Sequence, residues 1–185
     1  MGQARQSAHA FAGSALAVLV AGVVALLTHQ PWLFPSLGPA VMLHVEKPAS
    51  PESSPRNTLI GHGVALLAGY ASLLAFGLAD APSVLQEGVS GLRIVAAAGS
   101  LALTALVLVL LKASHPPAGA TTLIVSLGLL RTPTQLLVAA GAVLLVTVVD
   151  WLYGRMSGRP MPRWVAPEQS SEGGHRGGQD RRPVG

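Results

Sequence analysis

The sequence contains no cysteine and little charge. Without cysteine there is no disulfide bond, no thiolate nucleophile and no thiolate metal ligand. Charged residues make up 11% of the chain and hydrophobic residues 50%, and the imbalance comes from several long uncharged stretches. The composition therefore indicates an integral membrane protein, and in 185 residues we expect one compact membrane domain and no soluble catalytic domain.

Positive charge is concentrated at one end of the chain. The formal net charge is +4, and half of the twelve lysines and arginines follow residue 153. A basic tail of this kind is typical of a cytoplasmic segment that contacts lipid headgroups rather than of a nucleic-acid surface. We expect a multi-pass protein of the plasma membrane, or bacterial inner membrane, with both termini in the cytoplasm.

Four stretches are long and apolar enough to span a bilayer. They cover residues 11–27, 59–79, 92–111 and 135–153. The first is longer than a signal-peptide core and is followed by no small-residue cleavage pattern, so we interpret it as a retained span. The predicted organisation is an N-terminal segment 1–10, a transmembrane domain 11–153 and a disordered basic tail 154–185.

Two further apolar stretches are interrupted by proline and glycine. Residues 31–43 contain three prolines and a glycine, and Pro116-Pro117 follows His115 ahead of the apolar residues 119–130. Proline stops a helix from continuing but is tolerated where a new one begins. About 12 residues make only about 18 Å of helix against a hydrocarbon core of about 30 Å. We therefore predict an all-α membrane fold of four full transmembrane helices plus two short half-helices.

The two halves of the chain share one order of elements: long span, broken stretch, long span. Gly38-Pro39-Ala40 and Ala118-Gly119-Ala120 occupy corresponding places, so an internal duplication is left open. Two topologies also stay open. Segment length favours re-entrant half-helices and four crossings, which we expect, whereas the charge distribution favours six crossings and inverted repeats.

Three motifs in order resemble the HPP family of integral membrane proteins. They are 115–120 (His-Pro-Pro-Ala-Gly-Ala), 34–39 (Phe-Pro-Ser-Leu-Gly-Pro), and 55–57 (Pro-Arg-Asn) with Gly61-His62. The resemblance covers roughly residues 8–155. It implies a four-helix membrane protein without a cofactor and, because plant chloroplast relatives are implicated in nitrite uptake, transport of a small anion. With no room for a transit peptide ahead of residue 11, we expect a bacterial-type membrane.

A binding site for an anion is predicted where the broken stretches meet. The first turn of a helix has unpaired N–H groups that attract anions. We expect such groups around 38–41 and 119–122, with hydroxyls and imidazoles nearby and a positive charge at the entrance. The candidate binding residues are Ser36, Gly38, Arg56, Asn57, His62, His115, Gly119, Thr121 and Thr122.

Several of these residues also have a purely structural interpretation. His115 could cap a helix and His62 could bond a neighbouring carbonyl, while proline and glycine shape the backbone. Asp150, next to Trp151 at the end of a span, is typical of the membrane interface, and Arg93 can snorkel to it. Gly61, Ala65 and Gly69 form a small-residue face that lets another helix approach closely.

Two other classes of function remain as alternatives. Residues 88–91 (Gly-Val-Ser-Gly) resemble the Gly-x-Ser-x motif of rhomboid proteases, but no base is paired with the serine, and the sequence has no zinc-protease motif and no phosphate-binding loop. We expect no enzyme activity and no metal. An accessory membrane subunit without transport of its own is the second alternative, and a homo-oligomer is left open.

Overall fold

The computed structural model describes residues 2–166, and within them the secondary structure is entirely helical. Four helices are long and apolar enough to cross a membrane, and two others have ten residues each. The predicted all-α membrane fold is therefore confirmed. The helices are α1 (Gln3–Thr28), α2 (Leu37–Glu46), α3 (Pro55–Ala75), α4 (Val84–Glu87), α5 (Gly91–Leu110), α6 (Pro117–Ser126) and α7 (Pro133–Met156), and a 3₁₀ turn covers Pro51–Ser53.

Helix α1 and the contacts of the residues after α7 extend beyond residues 11–153. Most of the predicted N-terminal segment 1–10 belongs to α1, because the first helix already begins at Gln3. The first part of the predicted tail is not separate either, since Trp151 Nε1 donates to the Pro162 carbonyl at 2.9 Å and Met161 is buried. Residues 167–185 of that tail lie outside the described residues.

Proline and hydroxyl caps decide where three helices begin. α3, α6 and α7 each have proline in the first turn, where its missing N–H is no loss. Ser54 accepts a hydrogen bond from the Asn57 N–H at the start of α3, and Thr132 accepts one from the Gln135 N–H at the start of α7. α3 and α7 thus begin with the same combination of a hydroxyl cap and a proline in the first turn.

Three contacts between helix ends define the direction of each helix. Tyr153 Oη donates to the His9 carbonyl at 3.1 Å, so the start of α1 and the end of α7 lie at one end of the bundle, called here the terminal end. The Arg56 N–H donates to the carbonyl of Trp164, just beyond α7, so α3 begins there too. α5 ends there as well, because the Arg56 guanidinium binds the Leu111 and Lys112 carbonyls.

Both broken segments consequently lead from one end of the bundle to the other. α1 ends at the opposite end while α3 starts at the terminal end, so residues 29–54 bring the chain back, and residues 111–132 carry it the other way. Each does so with an extended stretch and a ten-residue helix of about 15 Å. The chain makes six passes, and the expectation of re-entrant segments is wrong, because a re-entrant segment returns to the end from which it starts.

The two halves form an inverted repeat. α6 packs against α3 and α5, and α2 packs correspondingly against α7 and α1. The two non-glycine residues with positive φ among residues 2–166 follow the first helix of each half, His29 after α1 and Lys112 after α5. Because α1 and α5 run in opposite directions, the halves have opposite orientation, as in many transporters. The duplication left open by the sequence is therefore supported by the backbone.

Glycines on α3 bring α6 unusually close. A Cβ added at Gly61 would lie 2.8 Å from the His115 Cβ, and one at Gly69 would lie 2.7 Å from the Val125 Cβ. Both distances are too short for a side chain, so only glycine allows this approach. The predicted small-residue face is thus the surface on which α6 packs, and it places His115 and its neighbours against α3.

Candidate functional site

A continuous chain of hydrogen bonds joins the two broken segments. Ser36 Oγ lies 2.6 Å from Thr121 Oγ1, which lies 2.7 Å from His62 Nδ1. His62 Nε2 is 3.2 Å from His115 Nε2, and His115 Nδ1 is 2.8 Å from the backbone carbonyl of Glu52. All four side chains are at most 2% exposed. We call these four residues the histidine–hydroxyl chain.

Each member comes from a different part of the fold. Ser36 directly precedes α2, and Thr121 is one turn inside α6. His62 is two turns inside α3, on the side that faces α6. His115 directly precedes Pro116-Pro117, which break the passage between α5 and α6. The site therefore exists only because α2, α3 and α6 meet inside the bundle.

The bonding partners determine where the protons lie in the chain. The Glu52 carbonyl can only accept, so His115 Nδ1 carries a proton and the Nε2 of a neutral His115 accepts one from His62 Nε2. The Nδ1 of a neutral His62 then accepts from the Thr121 hydroxyl, which in turn accepts from Ser36. All four bonds are thereby satisfied without a net charge, which suits a site at membrane depth.

Two of the N–H groups expected to receive an anion, those of Gly38 and Gly119, are already bonded. The N–H of Gly38 donates to the Pro35 carbonyl at 3.3 Å, and that of Gly119 donates to the Pro116 carbonyl at 3.1 Å. Proline has no N–H to offer at Pro39 or Pro117. The N–H groups of Gly38 and Gly119 are therefore not free, because short turn bonds satisfy them locally.

The other predicted binding residues do not belong to the histidine–hydroxyl chain. Thr122 donates to the Ala118 carbonyl and contacts Thr104 of α5, Gly119 is half-buried near α5, and Gly38 is exposed. Arg56 and Asn57 hold the stretch that leads to His115. The Arg56 guanidinium binds two carbonyls at the end of α5, and Asn57 Nδ2 donates to the Ser114 carbonyl at 3.2 Å.

Two surface cavities adjoin the broken segments. One, of about 310 Å³, lies between α5 and the start of α6, and its lining residues include Thr104, Ser114 and His115. The other, also about 310 Å³, lies between α2 and α6, and its walls are apolar and proline-rich. Either is large enough for a small solute, and the first reaches the end of the histidine–hydroxyl chain.

A second buried cluster was missed in the sequence. His44 Nδ1 lies 2.8 Å from Asp150 Oδ2, and His44 Nε2 lies 2.9 Å from Thr58 Oγ1. The interfacial interpretation of Asp150 is wrong, since this residue is 3% exposed and His44 is 2% exposed. The available signal was an imidazole in the last turn of a short, largely apolar helix. The His44 and His115 rings are 6.3 Å apart, yet within residues 2–166 no histidine or carboxylate group is arranged to hold a metal ion.

Arg93 is also buried rather than at the membrane surface. It is 3% exposed, and its guanidinium donates to four backbone carbonyls at the opposite end of the bundle. Snorkelling was the wrong expectation for Arg93, because backbone carbonyls beyond the end of α3 and at the end of α6 provide acceptors inside the protein. The acceptors belong to Leu78, Ala81, Pro82 and Ser126.

Comparison with known protein families finds a match, which covers the membrane domain. A family model described as "HPP, transmembrane region" matches residues 1–162. This match confirms the resemblance drawn from the three sequence motifs. No curated protein and no solved structure matches the chain.

Proposed function

The chain belongs to the HPP transmembrane family, and we propose that it transports a small solute across the lipid bilayer in which its helices are embedded. More specifically, we propose a small anion such as nitrite, the substrate class that the family resemblance implies. Catalysis is not part of this proposal. The residues proposed to bind the solute are those of the histidine–hydroxyl chain.

One observation carries the proposal: a buried chain of polar side chains links both broken segments inside a bundle of largely apolar helices. Polar and ionisable side chains at membrane depth cost free energy, and they usually mark the path of a solute or a proton. Interrupted helices at matching positions of an inverted repeat are the common location of a transport site. Ser36 and Thr121 belong to those two segments, and they contact each other directly.

An anion in this site would require a positive charge from the histidines. The N–H groups of Gly38 and Gly119 are bonded to nearby carbonyls, and Arg56 and Arg93 are bonded to backbone carbonyls as well. Among the four residues of the histidine–hydroxyl chain, a protonated imidazole of His62 or His115 can act as a cationic donor. We therefore propose that the anion binds together with a proton, because an unpaired charge is costly in this environment.

Arg56 and Asn57 have a positioning role in this proposal. Their side chains hold the residues between Leu111 and Ser114, which directly precede His115. Their loss would displace His115 rather than remove a contact to the solute. The cavity beside Ser114 and His115 is the proposed entrance.

The test is flux of nitrite and nitrate into liposomes that contain the purified protein. Thr121→Val keeps the shape of the side chain and removes the hydroxyl that bridges Ser36 and His62. We expect saturable flux in the wild type and its loss in Thr121→Val. Thr147→Val is the matched control, because the Thr147 hydroxyl is buried but bonds only the Val143 carbonyl of its own helix.

The outcomes separate transport from the accessory alternative. Flux in the wild type and in Thr147→Val, but not in Thr121→Val, would support the histidine–hydroxyl chain as the binding site. Equal flux in all three proteins would contradict the site. No flux of either anion through the folded wild-type protein would contradict anion transport and favour an accessory subunit.

A further inference from the structure

The second buried cluster has the composition of a proton-carrying site. His44 of α2 and Asp150 of α7 form a hydrogen-bonded pair that is separate from the histidine–hydroxyl chain. Asp150 Oδ1 is buried and finds no hydrogen-bond partner within residues 2–166. A carboxylate that is half satisfied at membrane depth is unfavourable for stability, so its presence requires another explanation.

Hydrogen-bond directions show that the pair can exist with or without a proton. The Thr58 hydroxyl lies 3.1 Å from the Ser54 carbonyl and 2.9 Å from His44 Nε2. When Thr58 donates to the carbonyl, its oxygen accepts from His44 Nε2, and one further proton lies between His44 Nδ1 and Asp150 Oδ2. When Thr58 instead donates to His44 Nε2, Nδ1 donates to the carboxylate and the pair is one proton poorer.

Rotation of one hydroxyl therefore accompanies the gain or loss of a proton. With the proton, the pair is neutral overall, either as imidazolium and carboxylate or as imidazole and carboxylic acid. Without it, the pair has a net negative charge, which is costly in a buried site. We expect the His44–Asp150 pair to keep its proton while it is buried, and to release it only when Asp150 is exposed to water.

The surrounding titratable groups do not replace that charge. α3 contributes His62, the segment before α6 contributes His115, and the 3₁₀ turn contributes Glu52. α1 contributes His9, which stacks on Tyr153 of α7. His62 and His115 are neutral in the assigned hydrogen-bond pattern, and Glu52 is itself acidic. The proton on the pair is thus the group that balances Asp150.

We propose that the His44–Asp150 pair carries the proton that is coupled to solute transport and passes it to His115, whose ring lies 6.3 Å from that of His44. This inference rests on the proposed function. The link between the two sites is α2, because Ser36 at its start belongs to the histidine–hydroxyl chain and His44 near its end belongs to the pair. A movement of α2 away from α6 and α7 would open both sites together. One proton is taken from water at one face and returned to water at the other.

The experiment measures proton movement and solute movement in the same liposomes. An inward gradient of nitrite, and in parallel of nitrate, is imposed while a trapped pH-sensitive dye reports the interior, and protein-free liposomes give the leak of nitrous acid. Anion exchange at equal pH on both sides is measured separately. The variants are Asp150→Asn and the double variant His44→Leu with Asp150→Leu, which replaces a buried pair by apolar side chains that are often tolerated.

In the wild type we expect anion-driven acidification and anion exchange. In the double variant we expect exchange to persist and acidification to fall to the level of protein-free liposomes, and Asp150→Asn should behave in the same way if it folds. Acidification equal to the wild type in the double variant would overturn the proposal, as would loss of both activities in the folded protein. If the wild type itself shows no exchange of either anion, the proposed function fails, which is a distinguishable result.

Discussion

The two short helices occupy corresponding places in the inverted repeat, but their surroundings differ. α6 lies on the glycine face of α3, where Gly61 and Gly69 leave no room for a side chain. α2 lies on α7, whose buried face is built mostly from larger side chains. These include Ala139, Ala142, Val143, Val146 and Thr147. The order and direction of the helices are repeated in the two halves. The close approach of the short helix to its long neighbour is not.

Polar chemistry differs between the same two interfaces. Between α3 and α6 the histidine is on the long helix, and its partner is the hydroxyl of Thr121. Between α2 and α7 the histidine is on the short helix, and its partner is the carboxylate of Asp150. The caps and turns that define a duplicated backbone can therefore persist while the buried side chains specialise. In our proposals one interface binds the solute and the other binds a proton.

The largest effect is expected from filling the glycine face of α3. In Gly69→Ala the new Cβ would lie 2.7 Å from the Val125 Cβ and 3.0 Å from the Thr122 carbonyl oxygen, neither of which is a flexible side-chain end. We expect overpacking of about 1–3 kcal/mol, which exceeds the gain of about 1 kcal/mol from helix propensity. Thermal unfolding in detergent should show a lower Tm.

Gly63→Ala is the matched control for this comparison. Gly63 lies on the same helix, and an added Cβ meets nothing within 4 Å. The Tm of Gly63→Ala should equal or exceed that of the wild type, because alanine favours the helix. If Gly69→Ala unfolds at the same temperature as Gly63→Ala, the α3–α6 interface is looser than described.

An intermediate effect is expected at the caps, the feature that the halves share. Ser54→Ala removes a buried hydroxyl that caps α3 and also donates to the Pro51 carbonyl, so we expect a loss of about 1–2 kcal/mol. Thr132→Ala at the exposed start of α7 should cost about 0.5–1 kcal/mol. Chemical unfolding of the two variants in detergent measures both losses, and a larger loss for Thr132→Ala would contradict this order.

The smallest effect is expected from adding a side chain at Gly141 of α7. In Gly141→Ala the new Cβ would lie 3.1 Å from the end of the Trp32 ring, a half-buried side chain that can shift slightly. The cost should be nearly cancelled by the helix-propensity gain of about 1 kcal/mol, and the Tm should stay close to the wild-type value. A decrease as large as that of Gly69→Ala would show that α7 packs as tightly against Trp32 as α3 packs against α6.

Much of the fold could be predicted because the signals are local. Long uncharged stretches predict the spans, and prolines predict the interruptions, since each acts on neighbouring backbone atoms. The structure brings Ser36, His62 and His115 from three separate motifs together, with Thr121 between them, and their role in binding stays a prediction. The prediction of re-entrant segments, which was based on segment length, was wrong. An extended stretch beside each ten-residue helix provides the additional length that is needed to reach the other end of the bundle.

The sequence by itself determined a helical membrane protein, its four spans, its two broken segments and its family. Only the tertiary structure decided the partners of the polar groups. It placed His44 beside Asp150, 106 residues away, and directed Arg56 and Arg93 to backbone carbonyls. The reason is that hydropathy and helix breaking depend on a few successive residues, whereas the partner of a buried charge depends on which helices meet and in what register.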